Sequence, residues 1–126
     1  MSGGATPWQP QGLAFSRSVT AVTTLATQPV GFAQGGNSYR VINTGAVSIL
    51  IVFYNFTLGT PGVNAAGANP TLVFPIDGNP PVGQVGVVIP PGADEIVQGV
   101  ANADSFAAIG SAAGPTLIFV QRGEGI

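Results

Sequence analysis

The chain contains no cysteine, no histidine and no lysine. Without thiols there is no disulfide, no thiolate nucleophile and no Cys/His zinc site. Without histidine the commonest general base is missing, so a Ser-His-Asp arrangement is excluded, and a Ser-Lys pair falls with the lysines. Charge of either sign is scarce: 6% of residues are charged, against about 25% in ordinary globular proteins. The cations are Arg17, Arg40 and Arg122; the acids are Asp77, Asp94, Glu95, Asp104 and Glu124, for a net charge of -2. Charge this sparse makes no electrostatic footprint for nucleic acid or for an anionic membrane, so neither is expected as a direct partner.

Long apolar runs are lacking too. The longest, Ile49 to Tyr54, falls far short of the ~20 residues a membrane-spanning helix needs. The opening MSGGATPWQPQG does not have the basic-then-apolar layout of a secretory signal, and a soluble, unprocessed chain is expected. A length of 126 residues fits one domain that buries roughly two-thirds of its unfolded surface. With 45% hydrophobic residues, much of the exterior must be carried by uncharged polar side chains and backbone. Such a surface is weakly protected against association, which favours burial against partners over a monomer with a neutral polar coat.

What is present is punctuation and β-branched runs. Residues 1–15 hold Gly3, Gly4, Pro7, Pro10 and Gly12, with Trp8, Leu13 and Phe15 between them. Gly and Pro at that density oppose a helix or a central strand, and the segment reads as an extended N-terminal arm ahead of a domain over 16–126. Trp8, the only tryptophan, either docks back on its own domain or anchors on a neighbouring subunit. Arg17 to Thr27 alternates as a strand with one buried face, and Gln28-Pro29 ends it.

Ser38 to Phe56 then reads as two strands folded on a tight Asn43-Thr44-Gly45 turn, with Gly45 in the left-handed conformation. Its second half is apolar on both parities: Val47, Ile49, Ile51 and Phe53 on one, Leu50, Val52, Tyr54 and Phe56 on the other. One face belongs to the core; the other requires a loop, an arm or another chain. Residues 57–69 form a loop too long for a routine connection. Further strands are expected at 70–76, 84–89, 94–98, 105–109 and 116–122, separated by turns at Asp77-Gly78-Asn79-Pro80-Pro81, Pro90-Pro91-Gly92-Ala93 and 110–114. The 94–98 strand is expected to follow directly from 84–89, and 105–109 to pair with 116–122. Seven or eight short strands and no helix predict an all-β, single-domain β-sandwich, with jelly-roll topology favoured.

Chemistry finds little to stand on. Asp94 and Glu95 are adjacent in a strand, so they point to opposite faces and cannot converge as a catalytic pair. Asp77, Asp104 and Glu124 sit in turns or at the end, where solvated acids are the ordinary reading. Asp77-Gly78-Asn79 lacks the carboxylate spread of a calcium loop. The glycine pairs match no nucleotide fingerprint, and the Asn55-Phe56-Thr57 sequon carries no weight without a secretory signal. No enzyme activity, cofactor or metal is expected.

Three stretches, 39–53 (YRVINTGAVSILIVF), 89–97 (IPPGADEIV) and 106–126 (FAAIGSAAGPTLIFVQRGEGI), resemble the small cement or decoration proteins on the heads of tailed bacteriophages. The resemblance implies a homo-oligomer, a dimer or trimer, made in the host cytoplasm and seated on the capsid exterior of the virion. There it would bridge major capsid protein subunits and stabilise the shell. The residues offered for the capsid or subunit interface are Trp8, Leu13, Phe15, Tyr54 and Phe56. The competing reading is a carbohydrate-binding or host-recognition β-sandwich module, such as a head fibre or tail-tip domain. It would call for an aromatic platform around the 57–69 loop, which contains no aromatic residue.

Overall fold

The computed structural model describes residues 9–19, 25–27, 38–75, 86–98, 103–112 and 116–124. Among them there is no helix, and eight strands form two four-stranded antiparallel sheets. The strands are β1 (Gln9–Val19), β2 (Leu25–Thr27), β3 (Ser38–Asn43), β4 (Ile49–Tyr54), β5 (Val87–Ile89), β6 (Asp94–Gln98), β7 (Ser105–Gly110) and β8 (Thr116–Glu124). The first sheet has the order β1-β8-β3-β6 and the second β2-β7-β4-β5. The ladder therefore pairs first strand with last, second with seventh, third with sixth and fourth with fifth. A long antiparallel ribbon rolled up in this way is a jelly roll, an eight-stranded double-sheet β-sandwich.

This topology corrects the hairpin reading of residues 38–56. β3 and β4 lie in different sheets, so the chain arches across the sandwich instead of doubling back on itself. The same holds for β5 with β6 and for β7 with β8, which the turn signals had suggested as neighbours. Of the consecutive strands, only β4 and β5 pair, through a long connection. The stretch read as a single strand over 17–27 is likewise divided, with β1 in the first sheet and β2 in the second. A two-residue period continues unchanged when a chain leaves one sheet for the facing one, because both inner faces demand apolar residues. The strand expected over 70–76 is irregular through residue 75, and β5 is shorter than its apolar run implied.

At the arch, Gly45 is not among the glycines of positive φ, so backbone freedom is not what the position requires. Space is the requirement: a Cβ there would fall 2.8 Å from Thr116 Cβ. Asn43 does the turning. It is fully buried, its Oδ1 accepts from Gly45 N (3.0 Å), and its amide donates to Val47 O (2.8 Å) and Ile89 O (3.0 Å). Its backbone also joins the Pro90–Ala93 turn, through Asn43 N to Ala93 O and Gly92 N to Asn43 O, both 2.9 Å. In that turn Pro91 and Gly92 (φ 76°) occupy the central positions, and Ala93 N donates to Pro90 O at 3.1 Å. The positive φ at the third position is the reason glycine stands there.

The core between the sheets is built from Phe15, Val19, Tyr39, Val41, Val97, Ile118 and Val120 on one side. Ile49, Ile51, Phe53, Ile89, Phe106 and Ala108 face them from the other. Tyr39 and Phe53 stack across the gap, with ring centroids 3.9 Å apart and planes 10° from parallel, and Phe106 tilts against Phe53 at 6.2 Å. A second cluster lies on the far side of β4: Leu50, Val52, Tyr54, Ala107 and Ile109 under Leu72, with Phe56, Val63 and Phe74 at its margin. The doubly apolar β4 is thus covered on its second face by the chain's own 56–74 segment.

Candidate interaction surface

The cover over β4 is a structured loop. Asn55 Oδ1 accepts from Leu58 N and Thr60 Oγ1 accepts from Asn55 N, both at 2.7 Å. Asn64 donates from its amide to the carbonyls of Asn55, Ala65 and Ala68. Gly59, Gly62 and Gly67 all have positive φ. Tyr54 ends beneath this loop with its hydroxyl donating to Asn69 Oδ1 at 2.7 Å. Tyr54 is fully buried and Phe56 only partly exposed, so Tyr54 is a core residue and has no surface to offer a partner. Phe15 packs on the main core from β1. Leu13 lies within β1, and Trp8 lies outside the described residues. Gln9 to Phe15, assigned to the arm, run as an edge strand along β8, with a break in register between Pro10 and Ala14.

The acids are dispersed. Asp77 lies outside the described residues. Asp94 stands opposite Ile42 and Glu95 opposite the core-facing Val41, which places them on opposite faces of β6. Asp104 caps backbone and hydroxyl donors: Oδ1 accepts from Phe56 N and Ser105 Oγ, both at 2.8 Å. No group of three acids able to hold a metal occurs among the described residues.

One end of the core is polar. Arg122 is buried, donates to the Ala103 carbonyl and lies 5.3 Å from the centre of the Tyr39 ring, a cation–π arrangement. Burial pushes the Tyr39 phenol above its ordinary 10.0; the nearby Arg122 pulls it down and Asp104 adds to the rise. A raised acid holds its proton more tightly folded than unfolded. Its stabilising contribution is therefore complete below the unfolded value and lost as pH climbs through the folded one. Spectrophotometric titration is expected to show Tyr39 ionising late, and Tyr39→Phe should remove that phase. A Tyr39 titration at the ordinary value would contradict the burial.

Of the exposed large apolar side chains among the described residues, Leu58 and Val73 lie on the 56–74 segment and Val87 and Val88 on β5, and the other three share one face. On the outer face of the first sheet, Phe119 (38% exposed) lies opposite Ile42. Leu117 (42%) lies beside Thr44, whose N–H donates to Leu117 O at 3.1 Å. Ile96 (36%) lies opposite Arg40 on the other flank. Arg40 and Asp94 form a two-pronged ion pair on the same face, with Nε to Oδ1 at 2.9 Å and the second prong from Nη2 to Oδ2. The Arg40 hydrogen bond holds the Asp94 carboxyl below its usual range, and the Asp94 hydrogen bond raises Arg40. Both side chains remain 43% exposed, and solvent screens such a pair strongly. The face thus carries an apolar patch and one self-neutralised pair.

None of these residues except Arg40 and Asp94 was singled out by motif reasoning, yet a signal was available. Thr116 to Val120 is apolar or β-branched at every position, the same two-faced pattern as β4, and here no loop among the described residues covers the outer parity. No family model and no curated protein matches the chain. A solved structure described as "Bacillus endospore appendages form a novel family of disulfide-linked pili" aligns over 98% of this chain and 93% of its own, at 15% identity and a TM-score of 0.43. A likeness at that score assigns no function, and this chain has no cysteine with which to make such links.

Proposed function

We propose that this chain is a structural protein of the virion, a decoration protein that binds the outside of a tailed-phage head and bridges major capsid subunits. The observation that supports it most is the outer face of the first sheet. Leu117, Phe119 and Ile96 stand exposed on a rigid jelly roll that has few charges to keep other proteins away. Apolar contact on this scale is worth little once, at ~25 cal/mol per Å2. Repeated over a lattice it gives high avidity, which is how a neutral shell protein would hold its place.

The test is cosedimentation with purified empty heads, run beside a glycan array. The expected result is saturable binding to heads, weakened several-fold by Phe119→Ser together with Leu117→Ser. Both positions face outward, so the fold should survive. Binding to glycans with indifference to heads would sink the proposal in favour of a host-recognition module. The contribution of Trp8 is read from a chain lacking residues 1–8. Removing 1–15 would instead strip Gln9–Phe15 from β8 and confuse docking with unfolding.

A further inference from the structure

We infer that the outer face of the first sheet is self-complementary and pairs two copies of this chain face to face about a two-fold axis. This reading stands on the register of β8, β3 and β6; it uses the face offered to the head, so a pair formed in solution must open before that face docks there.

The register draws a pattern on that face. Arg40 is opposite Ile96, and Ile42 is opposite Asp94, so these four side chains form a rectangle across β3 and β6. One diagonal is the Arg40–Asp94 ion pair. The other runs from Ile96 to Ile42 and, continued one strand further, reaches Leu117 beside Thr44. With strands about 4.8 Å apart and same-face residues about 6.7 Å apart along each, the two diagonals cross at roughly 70°. The apolar diagonal is therefore a ridge that the ion pair crosses, Arg40 rooted on one side and Asp94 on the other with their charged groups in contact over it.

A two-fold axis laid along the ridge, between two facing copies, has a definite consequence. Ile42 and Ile96 meet their own counterparts, while Arg40 meets Asp94 of the partner subunit and Asp94 meets the partner subunit's Arg40. Such an interface is isologous, with the same patch used twice and closed after two copies. A single charge at this place would repel its own copy; one of each sign across the axis attracts it. The patch is small, on the order of 300 Å2 per copy for three strands ~4.8 Å apart and three same-face positions ~6.7 Å apart, well under the ~800 Å2 a stable pair buries per side. Association should accordingly be weak and dependent on concentration, weak enough to open when the same face docks on a larger partner.

Sedimentation equilibrium up to millimolar protein tests this. The wild-type chain should rise from monomer towards dimer mass. Arg40→Asp leaves two acids on the face, and Asp94→Arg leaves two arginines. Each alone should weaken self-association roughly tenfold or more, with circular dichroism confirming an intact fold. An equimolar mixture of the two variants should associate again, because each then faces the opposite sign. Both variants lack the internal ion pair, so a merely structural role for it would give no such rescue. A wild-type chain that stays monomeric at millimolar concentration, association unchanged by either reversal, or a mixture that fails to associate would each overturn the inference.

Discussion

Truncating Phe53 to alanine is expected to cost roughly 4 kcal/mol, near the middle of the range for deleting a buried aromatic ring. Phe53 comes from the second sheet, stacks on Tyr39 of the first and touches Phe106 beside it. Its removal opens a cavity between two rigid sheets that cannot close on it, since each is held by its own ladder. Native domains have only about 5–15 kcal/mol to lose, so the variant should sit close to its unfolding midpoint under mild conditions. Urea denaturation provides the measurement: the midpoint should fall steeply with the slope unchanged, which reports lost stability and not a changed unfolded state. Phe53→Leu refills most of the volume and should recover more than half of the loss. An alanine variant within about 1 kcal/mol of wild type would mean that the two sheets are not joined through this stack.

The fold was legible where local chemistry decides it. β-branched runs marked the strands, and the 94–98 segment has the predicted bounds of β6. The Pro-Pro-Gly-Ala turn is a turn, with Gly92 in the conformation only glycine takes cheaply. Pairing was not legible, because nothing in a short turn distinguishes a hairpin from an arch. Asn43-Thr44-Gly45 satisfies the composition of a hairpin loop, yet its bonds go to Ile89, Ala93 and Leu117, residues 46 to 73 positions away. Partners at that distance leave no trace in the local period.

The candidate surface was hidden for a related reason. β4 and β8 are both apolar on two faces. Which of them is covered depends on where 56–74 folds, a tertiary fact. That segment packs on the β4 side, which buries Tyr54 and leaves Phe119 and Leu117 in solvent. Exposure was thus transferred from the strand the sequence made conspicuous to one it made look ordinary. The surface in question follows from the rolled topology as much as from any residue upon it.

The arch itself supplies the second large effect. Replacing Asn43 with alanine should destabilise the protein by roughly 3 kcal/mol, measured by the same urea titration. The amide satisfies two buried or partly buried carbonyls, Val47 O and Ile89 O, and its oxygen satisfies Gly45 N. Each polar group left alone in the interior costs about 1–3 kcal/mol, and a small cavity adds to it. Asn43→Asp separates hydrogen bonding from volume, because the side chain keeps its shape and loses its two donors. An ionised carboxylate would point at two carbonyl oxygens in a buried site, so both burial and bonding favour the protonated form and raise its folded pKa. The sign follows: the variant should be least damaged below the unfolded carboxyl value of ~3.9 and lose stability as pH rises above it. Wild-type protein has no such group at this position, so the difference between the two stability–pH curves isolates the site. A flat difference would mean that the arch is held by its backbone bonds to Ala93 and Gly92 alone, and that Asn43 is there only for its turn preference.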